Sequence, residues 1–128
     1  MDFSSGFEGI DLEWFAIDRD GNLALFVTAG GGFVPSSVAE SADVICALSA
    51  TIDAPHLGTS RVWEDYGSAG LYVYDWTSRY GSYELVQNPL QPITAVLRQA
   101  ILNLPAVPRF KVDFGASEFV DAVDFVAT

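Results

Sequence analysis

The residues Asp18-Arg19-Asp20-Gly21-Asn22 bring together the oxygen side chains of a calcium loop. An EF-hand loop takes ligands at its first, third and fifth positions, glycine at the sixth and a bidentate Glu at the twelfth. Counted from Asp18, the glycine stands fourth and Ala29 twelfth, so the spacing rules that site out. What remains is a tight turn between "EWFAID" (13–18) and "LALFVT" (23–28), with Gly21 and Asn22 expected at positive φ.

"VTAGGGFVPSS" has the outline of a phosphate cradle: a strand, a glycine loop and a helix start. A Walker loop ends in Gly-Lys-Ser/Thr, whereas Phe33, Val34 and Pro35 fill that place here. The Gly30–Gly32 loop is therefore expected to reverse the chain and pack closely.

His56 is the only histidine, with Asp53 three residues before it and Ser49 or Ser60 available to complete a Ser/His/Asp set. No GxSxG elbow accompanies them, and Cys46, the single cysteine, falls on an apolar helical stripe where a thiol is packing material. One His and one Cys do not make a zinc site without converging carboxylates. No catalytic residue, metal or cofactor is expected.

The elements that must position these residues follow from periodicity. The runs 13–18 and 23–28 are apolar on both faces, which predicts a central hairpin. Ser37 and Glu40 have capping-box spacing for a helix over Val38–Ala50, with Val38, Ala42, Ile45 and Cys46 on one stripe. Residues 51–70 read as loop, with "SRVWEDY" able to form a helical turn. "GLYVYDW" and "SYELVQNP" predict a second hairpin, and Ile93, Val96, Leu97, Ile101 and Leu104 predict a helix that Pro105 stops. "RFKVDF" reads as extended. Phe119, Val120, Val123 and Val126 fit a helical period that Ser117 would cap, while the Val and Phe content of the same segment favours a strand. The fold class is α+β: a mostly antiparallel sheet of two hairpins plus a C-terminal strand, with two helices packed on one face, as a single domain over 1–128.

The charge is lopsided: 17 Asp+Glu against 6 Lys+Arg, a formal net charge of -11. That field disfavours nucleic acid and anionic membrane surfaces and favours a basic protein partner. With 50% hydrophobic residues the chain is far from the composition of disordered segments. The N-terminal sequence lacks the basic and apolar regions of a signal peptide, and no apolar run approaches a membrane span, so a cytoplasmic protein is expected.

Alternation in the second hairpin sets Tyr72, Tyr74 and Trp76 on one strand face, with Tyr80 and Tyr83 following. Tyr and Trp combine contact area with a polar tip, which suits interface anchors. Glu64, Asp65, Asp75 and Glu84 are expected to ring that face as the partner-binding set. The competing reading makes the aromatics core residues beneath the Val38–Ala50 helix.

"EWFAIDRDGNLALF", "GGFVP" and "GLYVYDW…YELVQNP" resemble a group of small bacterial proteins with a Trp-Phe-Ala/Gly-x-Asp hairpin, a Val-Pro helix start and a Tyr-rich hairpin ending in Pro. Trp14, Asp18, Gly21, Phe26, Pro35, Tyr72, Tyr74 and Pro89 match that pattern. The longer apolar "ITAVLRQAIL" departs from it. The resemblance implies no catalytic residues; it implies a stand-alone partner protein of the kind that acts as immunity protein to a bacterial toxin. The expected function is a non-enzymatic acidic module occluding a basic protein. The alternatives are a small-molecule or sugar binder using the Tyr/Trp platform, an enzyme centred on His56 with Asp53, and a structural role as a homodimer or larger homo-oligomer.

Overall fold

The computed structural model describes residues 3–4 and 11–126. The expected first hairpin forms from β2 (Glu13–Ile17) and β3 (Leu23–Val27), following a short β1 (Phe3–Ser4) that pairs antiparallel with β4 (Val34–Pro35). Gly21 takes φ 89°, but Asn22 does not share the positive φ expected of it. Asp18 N–H donates to Asn22 O at 2.9 Å and Gly21 N–H to Asp18 O at 3.2 Å, so the loop is a three-residue turn with its left-handed residue at Gly21.

The chain then crosses through α1 (Ser36–Ala39), α2 (Ala42–Ser49) and α3 (Val62–Ser68) before β5 (Tyr72–Thr77) and β6 (Ser82–Gln87) make the second hairpin. Because a crossover separates them, β3 and β5 pair in parallel, the one parallel join in a mixed, mostly antiparallel sheet ordered β2-β3-β5-β6-β7. The outer strand β7 is Phe119–Val120.

Three expectations need correction. The helix over Val38–Ala50 is broken at Glu40–Ser41, where Ser41 leaves helical geometry at φ -120°, and the N-cap of α1 is Pro35, with no side-chain cap from Ser37. Val38 and Ile45 are nonetheless fully buried. The helix over Ile93–Leu104 shortens to α4 (Ala95–Leu102), capped by Thr94 Oγ1 accepting from Leu97 N–H at 3.1 Å. With its flanking residues it buries Ile101 and packs Ile93, Leu97 and Leu104 against the core, while Val96 of the expected stripe is 83% exposed.

The C-terminal segment exchanges roles. "RFKVDF" makes only isolated bridges, Ile17 with Arg109 and Phe110 with Phe125, while the segment expected to be helical supplies β7 and a 3-10 turn at Ala122–Asp124. A helix there would have needed Val123 in the core, and Val123 is 79% exposed. Pairing Val120 against Tyr83 and burying Phe125 was the alternative the sequence also allowed.

One face of the sheet carries Trp14, Phe26 and Tyr74 in cross-strand register. Their rings pack edge to face, Trp14 on Phe26 at 4.6 Å and Phe26 on Tyr74 at 5.0 Å. Phe110, Phe114 and Phe125 from the C-terminal segment pack with these rings, Phe110 against Phe125 at 4.1 Å. No helix among the described residues is long and apolar enough to cross a membrane.

Candidate functional site

The aromatic stripe divides. Tyr74 and Tyr83 are completely buried and form no surface platform. The polar tips that argued for exposure have internal partners: the Tyr74 hydroxyl donates toward the carbonyl oxygens of Phe114 and Ser117, each at 2.6 Å. The Tyr83 hydroxyl donates to Phe33 O at 2.7 Å and accepts from Trp14 Nε1 at 3.3 Å. These rings meet the C-terminal segment through Phe114 and Ser117 and the end of the glycine loop through Phe33. Tyr72 and Trp76 are half-buried, and Tyr80 alone of the five stands exposed.

The glycine loop lies against these aromatics. A Cβ on Gly32 would overlap the Tyr83 hydroxyl, and one on Gly31 would sit 3.0 Å from Trp76 Nε1. Close packing is thus the reason for Gly31 and Gly32, Gly30 takes a positive φ of 83°, and the four-residue α1 that follows offers no anion cradle. The Asp18 turn is equally structural. Asp18 is fully buried, with Oδ1 accepting from Asp20 N–H and Asn22 N–H at 2.9 and 2.8 Å and Oδ2 from Asn22 Nδ2 and Phe114 N–H at 3.1 and 3.0 Å. No group of His, Cys, Asp and Glu among the described residues has the arrangement of a metal site.

His56 pairs with Asp65, not Asp53. Asp65, in the first turn of α3, accepts the His56 backbone N–H at 2.8 Å and the ring Nδ1 at 2.9 Å. Burial acts to raise the Asp65 pKa, but the ring and backbone hydrogen bonds from His56 outweigh it and hold the carboxyl below its usual range. The pair fastens the loop before α3 to the helix. Ser49 is engaged elsewhere, its hydroxyl donating to Cys46 O at 3.1 Å, and the Cys46 thiol is pushed up by burial. Glu64 pairs with Arg61 at 3.8 Å on the surface.

Asp75 and Glu84 do not ring the aromatic stripe; they project from the other side of the sheet. Adjacent residues of a strand point to opposite faces, so Asp75, between Tyr74 and Trp76, must face away from both. Cross-strand register aligns Glu13, Val27, Asp75, Glu84 and Phe119 in one row over all five strands of the sheet. Three of the five are carboxylates.

Glu13 and Val27 also line a groove of about 410 Å³, with Asp11, Trp63 and Tyr66 around it and Leu57–Ser60 forming one wall. The Glu13 carboxylate receives a hydrogen bond from Tyr66, yet burial, assisted by Asp11, raises its pKa. Burial likewise raises Asp75, followed by the fields of Asp11 and Glu84. Glu13 Oε2 and Asp75 Oδ1 are buried atoms without a hydrogen-bond partner. The ion pairs found among the described residues are Arg19–Asp113, His56–Asp65 and Arg61–Glu64, and none reaches the row.

Sequence reasoning selected Asp75 and Glu84 but missed Glu13, Asp11 and Tyr66. Glu13 precedes Trp14 in a strand whose face could be assigned from alternation; its alignment with Asp75 required the parallel join between β3 and β5. No protein-family model, curated protein or solved structure matches the chain.

Proposed function

We propose that the chain is a non-enzymatic acidic binding module that receives cationic side chains of a basic protein partner at the Glu13–Asp75–Glu84 row. The single observation that carries this reading is the alignment of three partly buried carboxylates, Glu13, Asp75 and Glu84, in one cross-strand row that no ion pair found among the described residues reaches. A guanidinium or ammonium group from a partner, placed at the part of the row that is accessible, offsets the mutual repulsion of its carboxylates. The net charge of -11 would speed the encounter and make it salt-dependent. An immunity-like protein occluding a basic toxin is one form of this reading; a sugar platform on Tyr74 and Tyr83 is not, since both rings are buried.

The test is a fluorescence-polarisation titration of a labelled basic peptide, with an acidic peptide of equal length as comparison, at low and at high salt. Saturable binding of the basic peptide alone, weakened by salt, supports the proposal. Equal binding of both peptides, or none of the basic one, contradicts it.

A further inference from the structure

The carboxylate row ends in an exposed aromatic pair. Phe119, directly across from Glu84 in the β6–β7 ladder, shares its face of the sheet, because opposed residues of an antiparallel pair project the same way. Phe119 is 37% exposed and its ring packs edge to face on Tyr80, itself 56% exposed, with centroids 5.4 Å apart. The Tyr80 ring already holds a cation: the Arg79 guanidinium lies 5.2 Å from its centroid. Exposed aromatics beside unpaired carboxylates form a surface on which one kind of cation gains twice.

We propose that this surface selects arginine over lysine, the partner being a protein segment whose arginine side chains reach the Asp75–Glu84 carboxylates and stack on Phe119. The inference rests on the cation-binding reading above and deepens it. A guanidinium is planar, offers a fork of donors to a carboxylate and stacks on aromatic rings; an ammonium is a strongly hydrated point charge that does the first without geometric preference and the second less often. Strands in a sheet lie roughly 4.8 Å apart, so Asp75, Glu84 and Phe119 on successive strands fall within the span of one extended segment.

The experiment compares labelled oligoarginine and oligolysine peptides of equal length on wild type, Phe119→Ala and Phe119→Tyr, with thermal melts of each variant to confirm folding. Wild type is expected to bind oligoarginine about threefold to tenfold tighter, the scale of one or two exposed cation–π contacts. Phe119→Ala should bring oligoarginine down to the oligolysine affinity while leaving oligolysine unchanged, and Phe119→Tyr should keep the preference. Equal affinities in wild type, a preference that survives Phe119→Ala, or a loss that affects both peptides alike overturns the arginine selection while leaving the acidic module standing. Failure of both peptides to bind wild type overturns both.

Discussion

Glu84 stands directly opposite Asp75 in the β5–β6 ladder, so two carboxylates face one another on one side of the sheet. Like charges directly opposed across an antiparallel pair destabilise it by roughly 0.2–1 kcal/mol. Asp75→Asn removes one charge and lets an amide donate to Glu84. The variant is expected to melt roughly 2–5 °C above wild type at neutral pH, a shift appropriate to a domain of this size. A melting temperature equal to or below that of wild type would show that the pair is compensated.

The same carboxylates set the pH dependence of stability. Burial raises Glu13 and Asp75 above their unfolded values, so the folded chain binds their protons more tightly than the unfolded chain. Stability therefore rises as pH falls from neutral through the folded pKa values, until roughly pH 4, where the unfolded carboxyls also protonate. Below that, Asp113, held to about 2 by the Arg19 guanidinium, and Asp65, lowered by His56, lose their stabilising ionised forms. Denaturant midpoints measured across this range should peak in mild acid, and Glu13→Gln with Asp75→Asn should flatten the rise. A midpoint that declines steadily from neutral pH downwards would refute the assignment.

Asp18 is predicted to be a stability residue without metal affinity. Asp18→Ala strands the N–H groups of Asp20, Asn22 and Phe114, the last of which ties the hairpin to the C-terminal segment. Orphaned buried donors cost about 1–3 kcal/mol each, so a loss on the order of 3 kcal/mol in chemical unfolding is expected. Calcium should leave the wild-type melting temperature unchanged; a calcium-dependent increase would restore the metal reading.

Gly32 and Tyr83 are predicted to be energetically coupled. Gly32→Ala forces a methyl group into the Tyr83 hydroxyl, an overpacking that costs about 1–3 kcal/mol. Tyr83→Phe removes that hydroxyl and its bond to Phe33 O. The double variant should be less destabilised than the sum of the singles by about 0.5–2 kcal/mol, and additive losses in a double-mutant cycle would show that the loop yields instead.

Local features were legible in the sequence wherever local chemistry decides them. Both hairpins, the α+β class and the structural nature of the Asp18 turn and glycine loop follow from Asp-Gly, alternation and ligand spacing. Alternation in "YVYDW" also contained the correction to the expected site, since it places Asp75 opposite Tyr74 and Trp76. Features set by long-range pairing were not legible. The crossover makes β3 and β5 parallel and aligns Glu13 with Asp75, and nothing in either strand announces its neighbour. His56 finds Asp65 because α3 brings that carboxylate back to the loop, whereas proximity in sequence favoured Asp53. In the Phe119–Val126 region a helical period competed with a strand-favouring Val and Phe content, and the buried positions of Val120 and Phe125 favoured strand pairing over a helix that would have placed Val123 inside.

The central claim is that the row's carboxylates receive a partner's cationic side chains. The most direct measurement is the affinity of one labelled oligoarginine peptide for wild type and for the Glu13→Gln/Asp75→Asn double variant, by polarisation at low salt. The account predicts at least about tenfold weaker binding by a variant that is as stable as wild type or more so, because partners of a buried charge pair carry energies of this order. Unchanged affinity in a folded double variant would contradict it.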